Sequence, residues 1–210
     1  MRTRVKVCGI TTPEDARAAL EAGADHIGLV FTESPRRVSI DQARAIRAAL
    51  PPDSPLVGVF AAEPPEAVIA VQRALALPII QVAGWADPAE GENFEVWHVL
   101  RGPSLPDPAS IPLVPLRTHL LDAWDPALPG GTGRRADWGW AKRAVEAGLR
   151  LVVAGGLKPE DVRELVWEVR PHGVDASSGL ERSPGRKDPD RIREFIARVH
   201  EADRLRPRRS

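Results

Sequence analysis

The groups in this 210-residue chain that could do chemistry are a lone thiol, two aspartates, an arginine pair and two runs of very small residues. Cys8 is the only cysteine, and it ends an apolar strand in the run Lys6-Val7-Cys8-Gly9-Ile10-Thr11. A thiol at the C-terminal end of a first strand faces the mouth of an α/β sheet or barrel, where such folds place their reactive groups. The same residue could instead be a small buried hydrophobe, the commonest fate of a free cysteine. Asp122 closes a later apolar run in Leu121-Asp122-Ala123, and Asp175 opens Asp175-Ala176-Ser177-Ser178-Gly179. Side chains alternate along a strand, so Lys6 points the same way as Cys8. An interior ammonium needs a partner, and Asp175 on the closing strand is the expected one.

Gly155-Gly156 and Ser177-Ser178-Gly179 follow the last two strands of the pattern. Glycines there let backbone N–H groups approach a ligand closely. Ser177, Ser178 and Gly179 could open a short helix whose first N–H groups attract an anion. Both pairs could be turn chemistry alone. Their occurrence after both of the strands that carry the phosphate site in (β/α)8 barrels favours a phosphate pocket. Gly130-Gly131-Thr132-Gly133 lacks the lysine and spacing of a P-loop. It reads as a turn, a cradle or, preferably, a mobile lid.

Positioning these groups takes a regular framework, and the chain supplies one. Short apolar runs at Val5–Cys8, His26–Phe31, Leu56–Phe60, Ile79–Val82, Phe94–Leu100, His119–Ala123, Leu151–Ala154 and Gly173–Ser177 alternate with helical patterns. Thr12 with Pro13 and Asp15 opens the first helix, which ends at Gly23. Ser39 and Gln42 make a capping box for the second, which runs toward Leu50. The third follows Pro64-Pro65 to about Leu75, and one helical turn is expected within 86–92. Pro103, Pro106, Pro108, Pro112 and Pro115 make a helix after the fifth strand improbable. Helices resume from Asp137 to Gly148 and from Pro159. The last, capped by Asp188 with Pro189 at its first position, buries Ile192, Phe195, Ile196 and Val199. Eight strands with crossovers predict a single α/β domain, a (β/α)8 barrel over 1–203, with a proline-rich loop in place of the fifth helix. A basic tail occupies 204–210. An open doubly wound sheet is the alternative, disfavoured by the missing Gly-x-Gly-x-x-Gly.

Composition narrows the partners. The chain is 43% hydrophobic with net charge +0. That gives no electrostatic case for nucleic acid or an anionic membrane. One cysteine excludes an internal disulfide, and none of the five histidines (His26, His98, His119, His172, His200) has metal-ligand spacing. Structural or surface roles are expected for all five. No apolar run spans a bilayer and the first strand leaves no room for a signal peptide, so a cytoplasmic protein without metal or cofactor is expected. One Met, one Asn and 21 Pro fit heat adaptation or a GC-rich genome equally. On the first reading a homodimer is plausible, with Phe94 or Trp85 as the contact.

Taken in order, Lys-Val-Cys-Gly-Ile-Thr, Ser-Pro-Arg, Leu-Leu-Asp-Ala, Gly-Gly-Thr-Gly with Asp137-Trp138, Ala-Gly-Gly-Leu, Val-Asp-Ala-Ser-Ser-Gly-Leu-Glu and Pro184-Gly185-Arg186-Lys187-Asp188 resemble the phosphoribosylanthranilate isomerase family. The resemblance runs from Lys6 to the last helix. Two positions depart from it: Ala83 stands where the family usually has a histidine, and Ala136 where it usually has an aromatic. The resemblance implies an Amadori rearrangement of N-(5-phosphoribosyl)anthranilate to 1-(2-carboxyphenylamino)-1-deoxyribulose 5-phosphate in tryptophan biosynthesis. It implies Asp122 as the general acid and Cys8 as the general base. Asp122 must then have a raised pKa, and Cys8 a lowered one through a nearby cation such as Lys6. Arg36 suits the anthranilate carboxylate, because its fork can hold both oxygens. Gly155, Gly156, Asp175, Ser177, Ser178 and Gly179 complete the expected substrate contacts. The alternatives are another phosphosugar aminoaldose–aminoketose isomerase, which would want an aspartate in place of Cys8, and a non-catalytic phosphosugar-binding barrel.

Overall fold

The computed structural model describes residues 2–84, 93–123 and 136–205. Eight parallel strands close into a barrel in sequence order: β1 (Arg4–Cys8), β2 (His26–Val30), β3 (Leu56–Val59), β4 (Ile79–Val82), β5 (Glu95–Leu100), β6 (Thr118–Leu121), β7 (Arg150–Val153) and β8 (Gly173–Ala176). Closure is carried by β1 against β8, with Lys6 level with Asp175. The open-sheet alternative is thereby excluded. Helices α1 (Pro13–Glu21), α2 (Ile40–Ala48), α3 (Pro65–Leu75), α4 (Trp138–Glu146), α5 (Pro159–Val169) and α6 (Pro189–Leu205) follow strands 1, 2, 3, 6, 7 and 8.

The helix starts obey their sequence signals. Thr12 accepts from the Asp15 N–H at 3.2 Å, and Ser39 and Gln42 exchange bonds of 3.1 and 2.8 Å. Asp188 accepts from Asp190 N–H at 3.0 Å. Between β5 and β6 the only regular element is one 3₁₀ turn, Pro108–Ser110. The prolines there strip donors from a would-be helix. Trp85, the helical turn expected within 86–92 and Gly130–Gly133 lie outside the described residues.

Alternation along the strands splits the core in two. Val57, Ile79, Trp97, Leu120, Val152 and Ala154 fill the barrel interior. Val5, Val7, Ile27, Leu29, Ile80, Leu151 and Val174 point outward and pack under the helices. Phe94 is buried in that outer layer, so it cannot serve as an exposed dimer contact. Arg204 and Leu205 finish α6 as helix, and residues 206–210 lie outside the described residues.

One element has no counterpart in the sequence reading. Glu181–Ser183 (β9) and Arg186–Lys187 (β10) form an antiparallel hairpin after β8. Its Pro184-Gly185 turn is pinned to the first loop, where Thr11 donates to the Gly185 carbonyl at 2.6 Å. The Lys187 N–H donates to Asp15 in α1 at 3.1 Å.

Candidate active site

The residues singled out from the sequence gather at the C-terminal end of the barrel. Cys8 ends β1 and is buried. Its space is made by Gly28 on the paired strand: a Cβ there would stand 2.8 Å from the Cys8 Sγ and 3.1 Å from the Lys6 Cε. Lys6 is buried too, and its Nζ donates to Asp175 Oδ2 at 2.7 Å. The second oxygen, Oδ1, is buried without a partner. An interior carboxylate with one occupied and one open acceptor is equipped to take a hydroxyl from a ligand.

The charges set the protonation states. Burial pushes the Cys8 thiol up, and the pull of Lys6 toward the thiolate does not overcome it. The sequence expectation of a lowered thiol pKa is therefore corrected: desolvation wins, and Cys8 rests as a thiol. Burial disfavours the Lys6 ammonium, but the Asp175 carboxylate paired with it leads the opposing influences and Lys6 is held charged. Asp122 stands just beyond β6, its Oδ1 accepting from the Ala123 N–H at 2.9 Å. Burial raises its pKa, Arg101 opposes, and Asp175 adds to the rise. A protonated Asp122 is what an acid at this position requires.

The last two loops touch. Gly179 lies so close to the Leu157 carbonyl that a Cβ would stand 2.0 Å from it. Gly155 and Gly156 both have positive φ, and a Cβ on Gly155 would strike Ala123. Ser178–Leu180 is a 3₁₀ turn preceded by Ser177.

Arg36 makes an internal ion pair that the sequence reading did not include. Its Nε and Nη2 each donate at 2.8 Å to the two oxygens of Glu181. One edge of the fork is thus engaged within the protein. Gly9 makes room for this arm, since a Cβ there would meet Arg36 Cδ at 2.5 Å and Ser177 Oγ at 2.9 Å.

Four contributors escaped the sequence reading: Gly28, Glu181, Lys187 and Arg101. A glycine inside an apolar strand is a signal of close approach, and His26-Ile27-Gly28-Leu29-Val30 carried it. Pro184-Gly185 marked the turn that brings Glu181 and Lys187 together. Arg101 had no signal. His26 faces the interior, edge-on to Trp97 at a centroid distance of 4.9 Å, and burial lowers its pKa to about 4. Among the described residues no His, Cys, Asp and Glu side chains cluster as a metal site. A concavity of about 260 Å³ between 112–117 and 148–150 lies at the N-terminal end of the strands, away from Cys8.

The model of the N-(5'-phosphoribosyl)anthranilate isomerase family matches residues 5–198. The chain belongs to the phosphoribosylanthranilate isomerase family. It is 45% identical over 202 residues to the N-(5'-phosphoribosyl)anthranilate isomerase of Trichlorobacter lovleyi, covering 95% of this chain and 98% of that one. The phosphoribosylanthranilate isomerase of Thermus thermophilus superposes with a TM-score of 0.81 at 36% identity, over 95% of this chain and 99% of the other. A family member solved with reduced 1-(o-carboxyphenylamino)-1-deoxyribulose 5-phosphate superposes at 0.76 and 34% identity, over 95% and 99% of the two chains. As a family member the chain is an isomerase of tryptophan biosynthesis, converting N-(5-phosphoribosyl)anthranilate to 1-(2-carboxyphenylamino)-1-deoxyribulose 5-phosphate.

Proposed function

We propose that in this isomerase Asp122 is the general acid and Cys8 the general base of the Amadori rearrangement. Asp122 gives its proton to the furanose ring oxygen, and the ring opens to an imine. Cys8 then takes the proton from C2, and the enolamine formed goes on to the aminoketose. The observation that carries this assignment is the raised pKa of a largely buried Asp122 at the strand ends that also hold Cys8. Lys6 favours the thiolate electrostatically, and Asp175 Oδ1 is available to a sugar hydroxyl.

The substrate phosphate sits between the loops of Gly155-Gly156 and Ser177-Ser178-Gly179, with the N–H groups of Gly156 and Ser178 converging on it. Contact between those loops supports a single pocket. The anthranilate carboxylate lies on the free edge of Arg36. A substrate stretched from the phosphate pocket to the loop after β2 passes between strands 1 and 6, with acid and base on its two sides. No cofactor is needed, since nothing is oxidised or reduced. We further assign residues 1–203 to one catalytic barrel with a basic tail, and place the enzyme in the cytoplasm. No helix among the described residues is long and apolar enough to cross a membrane. A homodimer would use the exposed Leu113, Val114 and Leu116 rather than Phe94.

The test is loss of phosphoribosylanthranilate fluorescence in Cys8→Ser and Asp122→Asn. Serine keeps the size but is a far weaker acid, so turnover falls by roughly 10²-fold or more with KM little changed. Asparagine cannot release a proton, so Asp122→Asn falls at least as far. Near-normal turnover in Cys8→Ser would make Cys8 a packing residue.

A further inference from the structure

Glu181 is almost wholly buried, and two cations share its carboxylate. Arg36 takes both oxygens, and the Lys187 Nζ donates to Oε1 at 2.8 Å. Lys187 has no exposed side-chain surface, and its ammonium also donates to the Ser177 carbonyl at 3.1 Å. A buried ammonium loses its hydration, so it is kept only where partners compensate. Burial pulls the Lys187 pKa down and the contact with Glu181 opposes it; with the ammonium retained, the charges of Arg36, Glu181 and Lys187 sum to one positive. Without Lys187 the Arg36–Glu181 pair would be neutral, and its pull on an incoming carboxylate would be largely cancelled.

We propose that Lys187 is a positioning residue for substrate recognition: it balances Glu181, so that Glu181 can orient Arg36 without cancelling the charge that Arg36 offers the anthranilate carboxylate. Glu181 grips the Nε and Nη2 edge, which leaves Nη1 and the second hydrogen of Nη2 for a second carboxylate. The Pro184-Gly185 turn folds Lys187 back beside Glu181, and the Lys187 N–H bond to Asp15 fixes its depth. This rests on the reading of Arg36 as the carboxylate receptor.

The experiment compares two substrates, N-(5-phosphoribosyl)anthranilate and the carboxylate-free N-(5-phosphoribosyl)aniline. Lys187 also bears on the Cys8 thiol, but that influence is common to both substrates and cancels in the ratio of their KM values. Lys187→Met is expected to raise the anthranilate KM by about tenfold relative to the aniline KM. Glu181→Gln/Lys187→Met restores the net positive charge and is expected to recover most of that loss. A double variant no better than Lys187→Met, or a Lys187→Met that affects both substrates alike, overturns the proposal. If Lys187→Met does not fold, Lys187→Gln decides: it keeps an N–H donor for Glu181 but not the charge, so the ratio must rise, and a ratio equal to that of the unaltered enzyme overturns the proposal. Arg36→Met separates the two layers: if it leaves the ratio unchanged, the receptor reading itself fails, whatever Lys187 does.

Discussion

Single residues set the protonation state on which catalysis depends. Both groups assigned to catalysis are shifted upward by burial, Asp122 from the carboxylate range and Cys8 from the thiol range. The reactive form needs the lower-pKa group protonated and the higher-pKa group ionised, so it is a minority of the enzyme at neutral pH. Such a pair still gives a plateau in kcat/KM between its two pKa values, with a fall on either side. The expected profile therefore falls on the alkaline side only above the ordinary thiol range. A fall already complete below about pH 8 would mean that the thiol is not raised. Lys6→Met removes the charge that opposes burial and leaves Asp175 without its partner, so it should lower turnover and move the alkaline limb further up. Gly28→Ala is a second probe at this scale. The methyl would overlap the Cys8 Sγ and crowd the Lys6 stem, so turnover should drop by at least about tenfold.

Elements are held by helix caps at the catalytic end of the barrel and by charged staples at the opposite end. Asp25 precedes β2 and accepts from the Val5 N–H at 2.9 Å and from Arg4 at 2.7 Å, with Arg2 on the same carboxylate. Burial would raise its pKa, but those donors win and hold it below the usual carboxylate range. A depressed folded pKa adds stability that is fully present above the unfolded value of about 3.9 and is lost as pH falls through the folded one. Asp25→Asn should thus lower the denaturant midpoint at pH 7 and cost progressively less as the pH approaches that acid range. Activity should be unchanged at 25 °C, because the staple lies at the stability end of the strands. Ser39→Ala removes one half of the α2 capping box and should cost about 1 kcal/mol by denaturant titration.

At the scale of the whole molecule, the barrel is closed by joining its ends. The Thr3 N–H and hydroxyl donate to Asp203 at 2.7 and 2.9 Å, tying the strand that opens the barrel to the helix that finishes it. Two histidines add a pH response. His26 and His172 both titrate near 4, first because burial disfavours their charged forms. They are neutral in the folded state and free to charge in the unfolded one. Their contribution to stability should therefore be flat above about pH 6.5 and fall between there and about pH 4. His26→Gln should shallow that slope, and an unchanged slope would assign the response to other groups. Light scattering tests assembly: a monomer at working concentration would dispose of the homodimer.

The sequence by itself determined the framework, because period, caps and breakers are local properties. Alternating runs set eight strands, Ser39 with Gln42 set a helix start, and five prolines removed a helix between β5 and β6. Strand alternation alone put Lys6 and Asp175 inside the barrel, and they pair at 2.7 Å. Other features depended on the surroundings that folding supplies. The sign of the Cys8 shift was one, because a cation nearby in sequence argued for a thiolate while only the packed interior shows how much water is lost. The engagement of Arg36 by Glu181 was another, since those residues stand 145 positions apart and meet only because the hairpin after β8 folds over the loop after β2. Charge, hydrogen bonding and desolvation at a site sum over neighbours from many strands, and closure of the barrel is what decides which neighbours those are.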